Sequence, residues 1–365
     1  MAKNLFIAAI DKNSGKTTTS ICLMHLARKK YQRVGFFKPF GGQSLTFRKT
    51  VVDKDVSLMS QVFKLTTNPA TMSPVVLSPD TTHKVVDGKI SPADLQEKIV
   101  SAYTELEKEC DFIIVEGSGH PGVGSVLQLS NARIASILKT PVLLVTGGGL
   151  GVVVDRLAMI MALFEKESVD VRAILVNRLI AEKRERSLDY LRRAMINESF
   201  KIIGGFDYQP ILANPTLRRI STLLDLPVRG NRRELQKIIY KVLVGAASTQ
   251  RVTELLQEPS LILVTSSRDE LLVTLAHLYR MPQYRPLIVG LVISGATPIS
   301  PITQLILDKS RIPYLREESR TSAEMYQIIG RDVSKIIAED TEKLDLIRSL
   351  ADTSFDFNAI DSLFS

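Results

Sequence analysis

The chain has 365 residues, enough for two domains or one large one, each able to bury its own core. It is 45% hydrophobic and 24% charged, lacks tryptophan and carries no low-complexity tract, the composition of an ordinary soluble globular protein. The net charge is +8, with basic residues dense from Arg178 to Lys241, including Arg218-Arg219 and Arg232-Arg233. Glu182, Glu185, Asp189 and Glu234 are interleaved with them and no aromatic residues alternate as a stacking platform, so solvated helix faces are expected and a nucleic-acid partner is not.

Strand-like and helix-like segments alternate from the start. Leu5–Ile10 is apolar and reads as a strand; with one lysine before it, the run is too short for a signal peptide. Thr17–Lys29 has helical spacing, Val34–Phe37 is a second strand, and Ala93–Lys108 is a helix with Ser91 as N-cap and Pro92 in its first turn. Phe112–Val115, Asn131–Leu138, Val142–Thr146, Val154–Phe164 and Val171–Val176 continue the alternation. Uniformly apolar strands joined by helices predict a mostly parallel, doubly wound α/β sheet covered on both faces. The apolar run Pro141–Phe164 is broken by Gly147-Gly148-Gly149, Gly151 and Asp155-Arg156, so it is no membrane span. "DLPVRGN", Asp225–Asn231, interrupts the pattern and predicts a domain boundary, giving domains at 1–228 and 229–365. A second alternating series follows: Ile238–Val244, Arg251–Leu256, Leu261–Thr265, Glu270–Leu278, Leu287–Ile293 and Ile302–Leu307. Phe355–Ser365 is expected to be peripheral. Cys22 and Cys110 form no CxxC pair, which fits buried thiols in a reducing cytoplasm.

"FIAAIDKNSGKTTTS", Phe6–Ser20, supplies the second half of the phosphate-binding pattern G-x-x-x-x-G-K-[ST], between a strand and a helix where that pattern belongs. The first glycine is missing. Backbone N–H groups of Asn13–Thr18 are expected to curl around a phosphate at the helix N-terminus, with Asp11, Lys12, Asn13, Ser14, Gly15, Lys16, Thr17 and Thr18 as the binding loop. Lys16 would reach β- and γ-phosphates and the Thr17 hydroxyl would hold Mg²⁺. "FIIVEGSGH" places Glu116 at the carboxyl end of a buried strand, where an unpartnered carboxylate is costly. "VVDKDVSLM" adds Asp53 and Asp55; a metal role for Asp55 stands beside the alternative that it caps a helix starting at Val56. Lys38 in "FFKPFGG" ends a strand on the same edge, and Asn177 in "AILVNRL" ends another, its amide suited to an adenine edge. His120, in a Gly-rich loop, is expected to be exposed. No second His or Cys stands at zinc-ligand spacing, and no Ser/His/Asp arrangement is found.

"FIAAIDKNSGKTTTS", "VGFFKPFGG", "DKDVSLM", "FIIVEGSGH", "PVLLVTGGGLG" and "ILVNRL", in that order, resemble the dethiobiotin synthetase and cobyrinic acid a,c-diamide synthase branch of P-loop NTPases. In that branch the first glycine falls at the position of Ala9 and an aspartate at that of Asp11, so the departure is one glycine-to-alanine change. "SLILVTSSRDELLVTLA", with "KVLVGAAS" before it and "PLIVGLVISGATPIS" after, resembles the DRTGG domain, although the name-giving pentapeptide is absent. The two occur together in the N-terminal part of long bacterial phosphate acetyltransferases, whose catalytic domain would follow Ser365. The resemblance implies ATP and Mg²⁺ as ligands. It makes Thr17, Asp55 and Glu116 the metal residues, Lys16 and Lys38 catalytic, and Asn177 an adenine contact. It points first to a nucleotide-sensing regulatory or accessory protein; an ATP-dependent ligase or amidotransferase and a non-enzymatic interaction module are the alternatives. Acetyl transfer by this chain alone is not expected. A homo-oligomer and a small anion or nucleotide at the second domain are the expected partners.

Overall fold

The computed structural model describes residues 2–147, 149–195, 198–332 and 334–364; Gly148 of the triple-glycine break lies outside them. Two compact units divide the chain, Met1–Gln209 with Thr341–Ser365, and Pro210–Asp340.

The first unit opens with β1 (Lys3–Ala9), α1 (Lys16–Lys30) and β2 (Val34–Phe37). Short elements follow: β3 (Phe40–Gly41), β4 (Ser44–Phe47), β5 (Thr50–Asp53), α2 (Lys54–Val62), α3 (Pro69–Met72), β6 (Val75–Val76) and α4 (Thr81–Val86). Regular alternation resumes with α5 (Pro92–Glu109), β7 (Phe112–Glu116), α6 (Asn131–Ile137), β8 (Val142–Gly147), α7 (Leu150–Lys166), β9 (Val171–Asn177), α8 (Arg184–Ala194) and β10 (Lys201–Gly204). Six strands form one sheet in the order β10-β9-β8-β1-β7-β2, and every pairing in it is parallel. Successive strands run to one side of β1 and then to the other. The switch in direction therefore falls at the carboxyl end of β1, the place where open α/β sheets bind ligands. Phe6 and Ala8 share a core with Phe37, Ile113, Val115, Ile99, Ile134, Leu157 and Leu188. Leu5, Ile7 and Ala9, of opposite strand parity, are buried as well, so both faces of the sheet are covered.

The second unit holds α9 (Leu217–Leu224), β11 (Lys241–Val244), α10 (Thr249–Glu254), β12 (Ser260–Thr265), α11 (Asp269–Tyr279), β13 (Ile288–Ser294), α12 (Pro301–Ser310), β14 (Tyr314–Arg316) and α13 (Ser322–Arg331). Its parallel sheet runs β11-β12-β13-β14. Ile262 and Val264 pack with Leu271, Leu275 and Leu307 on one face, while Leu261 and Leu263 pack with Leu217, Ile220, Leu224 and Met325 on the other. This second packing explains why the chain crosses between units at Gln209 and Pro210 rather than at 228/229. Helix α9, read as part of the first domain, supplies Leu217, Ile220 and Leu224 to the second core.

The tail departs from expectation too. α14 (Thr341–Ser354) and α15 (Phe357–Leu363) return to the first unit and pack against α1. Leu344, Ile347, Phe355, Ile360 and Phe364 are buried, so residues 355–364 are not peripheral; Ser365 lies outside the described residues. The Asp361 carboxylate, 5% exposed, meets Lys3 Nζ at 2.8 Å and Lys30 Nζ at 2.9 Å and accepts from the Tyr31 hydroxyl at 2.9 Å. Burial acts to raise the Asp361 carboxyl, but these donors outweigh it and hold the group below the usual carboxylate range.

Candidate functional site

The loop after β1 is shaped by two left-handed residues, Asn13 at φ 61° and Gly15 at φ 95°. Gly15 is the N-cap of α1 and provides no side-chain cap, and no acidic residue stands in the first turn. The first N–H groups of this helix thus lack the usual Ser, Thr or Asp partner, an arrangement suited to an external anion. Ser14 Oγ donates to Asp11 O at 3.1 Å and Lys12 N to Asp11 Oδ1 at 2.8 Å, which fixes the entry to the loop. Arg156 forms an ion pair with Asp11 from α7.

Asn177 lies against the floor of this loop. Its Nδ2 donates to Ser14 O at 3.4 Å and Thr19 Oγ1 at 3.2 Å, and its Oδ1 accepts from Phe206 N at 2.9 Å. The residue is 3% exposed. Its amide is committed to bracing the loop from β9, and these bonds differ from the adenine contact expected of it. The fit depends on glycine. A Cβ on Gly15 would stand 2.6 Å from Asn177 Nδ2, and one on Gly205 would stand 2.2 Å from Asn177 Oδ1. Gly15→Ala combines that clash with a left-handed backbone, costing about 1–2 kcal/mol from the conformation alone. We expect a lower unfolding midpoint for the variant, checked by thermal denaturation against the parent chain.

Behind the loop is a buried charge cluster. Glu116, the last residue of β7, is fully buried, and Lys38, just past β2, is 4% exposed. Lys38 Nζ donates to Asp55 Oδ2 at 2.7 Å, to Glu116 Oε1 at 3.0 Å and to Gly117 O at 3.3 Å. The same Glu116 Oε1 accepts from Thr17 Oγ1 at 3.3 Å, and Glu116 Oε2 accepts from Ser20 Oγ at 2.6 Å. Burial disfavours the Lys38 charge, yet Asp55, Glu116 and Asp53 outweigh it and hold the ammonium far above its ordinary range. Glu116 is pushed up by burial, which Lys38 opposes and Asp55 reinforces. Burial likewise raises Asp53.

The carboxylates at the end of β5 and just after it divide their work in a way the sequence did not indicate. Helix α2 begins at Lys54, and its N-cap is Asp53, whose Oδ1 accepts from Asp55 N at 2.9 Å. Asp55 is therefore not the cap of a helix starting at Val56; its carboxylate faces Lys38. Lys16 Nζ donates to Gly119 O at 2.6 Å, placing it at the rim of the loop after β7. That loop is held by Asn131, which accepts from Ser118 N at 3.0 Å and donates to Ser118 O at 2.7 Å and His120 O at 2.8 Å. His120 is exposed, as expected. Asn131 and Ser20 were not anticipated. Ser20 could have been found from its place one helical turn after Thr17, and Asn131 from being a polar residue opening an apolar helix.

Lys16, Thr17, Lys38, Asp55 and Glu116 are thus brought together around one carboxylate. Thr17, Asp55 and Glu116 present only hard oxygen donors, which suits Mg²⁺ and not a soft metal. Among the described residues no three His, Cys, Asp or Glu side chains form a metal cage, so a cation here would draw further oxygens from solvent or a phosphate.

Curated relatives fall into two groups. A phosphate acetyltransferase of Nitratidesulfovibrio vulgaris Hildenborough is 23% identical over 371 residues, covering 99% of this chain and 52% of its own. The chain thus spans about half the length of that relative. An ATP-dependent dethiobiotin synthetase BioD of Clostridium kluyveri is 26% identical over 247 residues, covering 65% of this chain and 94% of its own. A solved cobyrinic acid a,c-diamide synthase of Mycobacterium smegmatis, with bound ADP and magnesium, aligns at 15% identity and a TM-score of 0.32 over 57% of this chain and 88% of its own. The AAA domain profile matches residues 3–216, which contain the loop, the charge cluster and the whole six-stranded sheet, and the chain belongs to that P-loop family.

Proposed function

We propose that the first unit binds Mg-ATP and that the protein works as a nucleotide-sensing regulatory or accessory factor. The observation that carries this reading is the uncapped N-terminus of α1, with left-handed Gly15 before it and Lys16 beside a buried carboxylate cluster. In this reading the first-turn N–H groups of α1 take phosphate oxygens, and Lys16 turns from Gly119 O to the β- and γ-phosphates. Thr17, Asp55 and Glu116 hold the magnesium, which neutralises phosphate charge when bound. Asn177 keeps the loop in shape from below. The relatives' acetyl transfer, named for proteins of about twice this length, is not part of the proposal.

The second unit is proposed to be DRTGG-like and to take a small anion or nucleotide at the carboxyl edge of its sheet. Ser266, Ser294 and Ser322 gather there, with Ser294 Oγ and Ser322 Oγ 2.6 Å apart. A second reading of the first unit, ATP-dependent activation of a carboxylate, is favoured by the similarity to nearly the full length of a dethiobiotin synthetase.

Isothermal titration with ATP, with and without Mg²⁺, tests the proposal; no binding of nucleotide under either condition would overturn it. Glu116→Gln keeps the shape of the side chain while removing its charge. The variant is expected to bind ATP with at least a tenfold smaller gain from Mg²⁺ than the parent. An unchanged gain would reduce Glu116 to a hydrogen-bond acceptor for Lys38, Ser20 and Thr17.

A further inference from the structure

Lys38 holds its charge in an unusual place. Its ammonium has three donors, and Asp55 Oδ2, Glu116 Oε1 and Gly117 O take them at 2.7, 3.0 and 3.3 Å. Two of these acceptors are the carboxylates assigned above to the metal, and the Thr17 hydroxyl sits on the same Glu116 oxygen. Solvent has little access to this charge, since Glu116 is fully buried, Lys38 is 4% exposed and Asp55 9%. The two carboxylates converge on one point, and a lysine nitrogen already stands there.

We propose that Lys38 is a tethered stand-in for the divalent cation, and this rests on the reading of the site given above. In the nucleotide-free chain the ammonium offsets part of the negative charge of Asp55 and Glu116. A metal held by these carboxylates would have to take the ammonium's place, because two cations cannot share one pair of buried carboxylates without strong repulsion. The displaced ammonium then needs an anion, and the terminal phosphate of a bound nucleotide is the anion that arrives with the metal. A flexible four-carbon stem lets the charge swing that short distance. The chain consequently takes metal and polyphosphate together and resists free divalent cation. It also avoids an uncompensated carboxylate cluster between binding events, because one positive charge is always present.

Mn²⁺ binding to the nucleotide-free full-length chain, followed by electron paramagnetic resonance, reads this directly. The parent chain is expected to bind Mn²⁺ weakly. Lys38→Met is expected to bind it at least tenfold more tightly and, unlike the parent, to gain thermal stability from Mn²⁺ alone. The double variant Lys38→Met with Glu116→Gln should lose that gain. Should Lys38→Met fail to fold, Lys38→Gln keeps amide donors toward both carboxylates without the charge, and the same tightening is expected. A folded Lys38 variant that binds Mn²⁺ no more tightly than the parent overturns the proposal, as does a parent chain that binds ATP yet binds Mn²⁺ equally well with and without it. Failure of the parent to bind ATP, with tightening intact in the variant, would instead remove the nucleotide reading and leave the stand-in role of Lys38 in place.

Discussion

Lys16→Ala is expected to abolish most of the rise in unfolding temperature that Mg-ATP gives the first unit. A ligand that binds only the folded state stabilises by mass action, about 2.7 kcal/mol at a hundredfold excess over its dissociation constant. For a unit of this size such a gain moves the midpoint by roughly 5–10 °C. Lys16 contributes a point charge on the phosphates, and in the structure it donates to the carbonyl of Gly119 at 2.6 Å from the rim of the loop. Losing it should therefore leave the ligand-free midpoint nearly unchanged while the ligand-induced shift falls to about 2 °C or less. Scanning fluorimetry of both proteins with and without Mg-ATP measures the two quantities separately. A shift of parental size in the variant would mean that the loop does not use Lys16 to hold phosphate.

The second large effect comes from the tail. A chain ending at Asp340 is expected to lose the cooperative unfolding transition of the first unit, or to aggregate, while the second unit keeps its own. Leu344, Ile347, Phe355, Ile360 and Phe364 are all buried in the first unit. At about 1.5–3 kcal/mol per buried apolar side chain, removing these five withdraws on the order of 10 kcal/mol. That is an upper bound, but it equals the whole net stability of a typical domain. Asp361 goes with them, leaving Lys3, Lys30 and Tyr31 without a shared carboxylate. Calorimetry and size-exclusion chromatography of the shortened chain decide the matter: an intact first transition in a monodisperse protein would show that α14 and α15 are dispensable.

Much of this architecture was legible in the sequence, because the strands of a parallel sheet are apolar on both faces and stand out between helices. β1, β2, β7, β8 and β9 fall where their apolar runs predicted. β10, with Lys201 at its start and its remaining residues only half-buried, gave no such run and was missed. The loop after β1 and Glu116 were readable because a strand-loop-helix motif and a carboxylate closing an apolar strand are local signals. The pairing of Lys38 with both Asp55 and Glu116 is not local, since it needs residues 17 and 78 positions apart to meet. Asp53 and Asp55 could not be told apart because either carboxylate, two positions apart, can begin a helix. The tail was misread for a related reason. Helix α1 is buried continuously from Thr19 to Met24, which requires cover on more than one side, but the cover comes from residues more than three hundred positions later.

That return of the chain also sets an order of events during synthesis. Residues 210–340 form a continuous unit lying wholly before the last segment of the first one. A ribosome releases residues in sequence, so the second unit is complete and free to fold while the first still lacks α14 and α15. Until those helices emerge, α1 and the apolar surface awaiting them are open to solvent, and the nascent first unit is a client for chaperones although it was translated first. The loop proposed to bind phosphate lies at the start of α1, so its support is completed only after translation has passed α14 and α15.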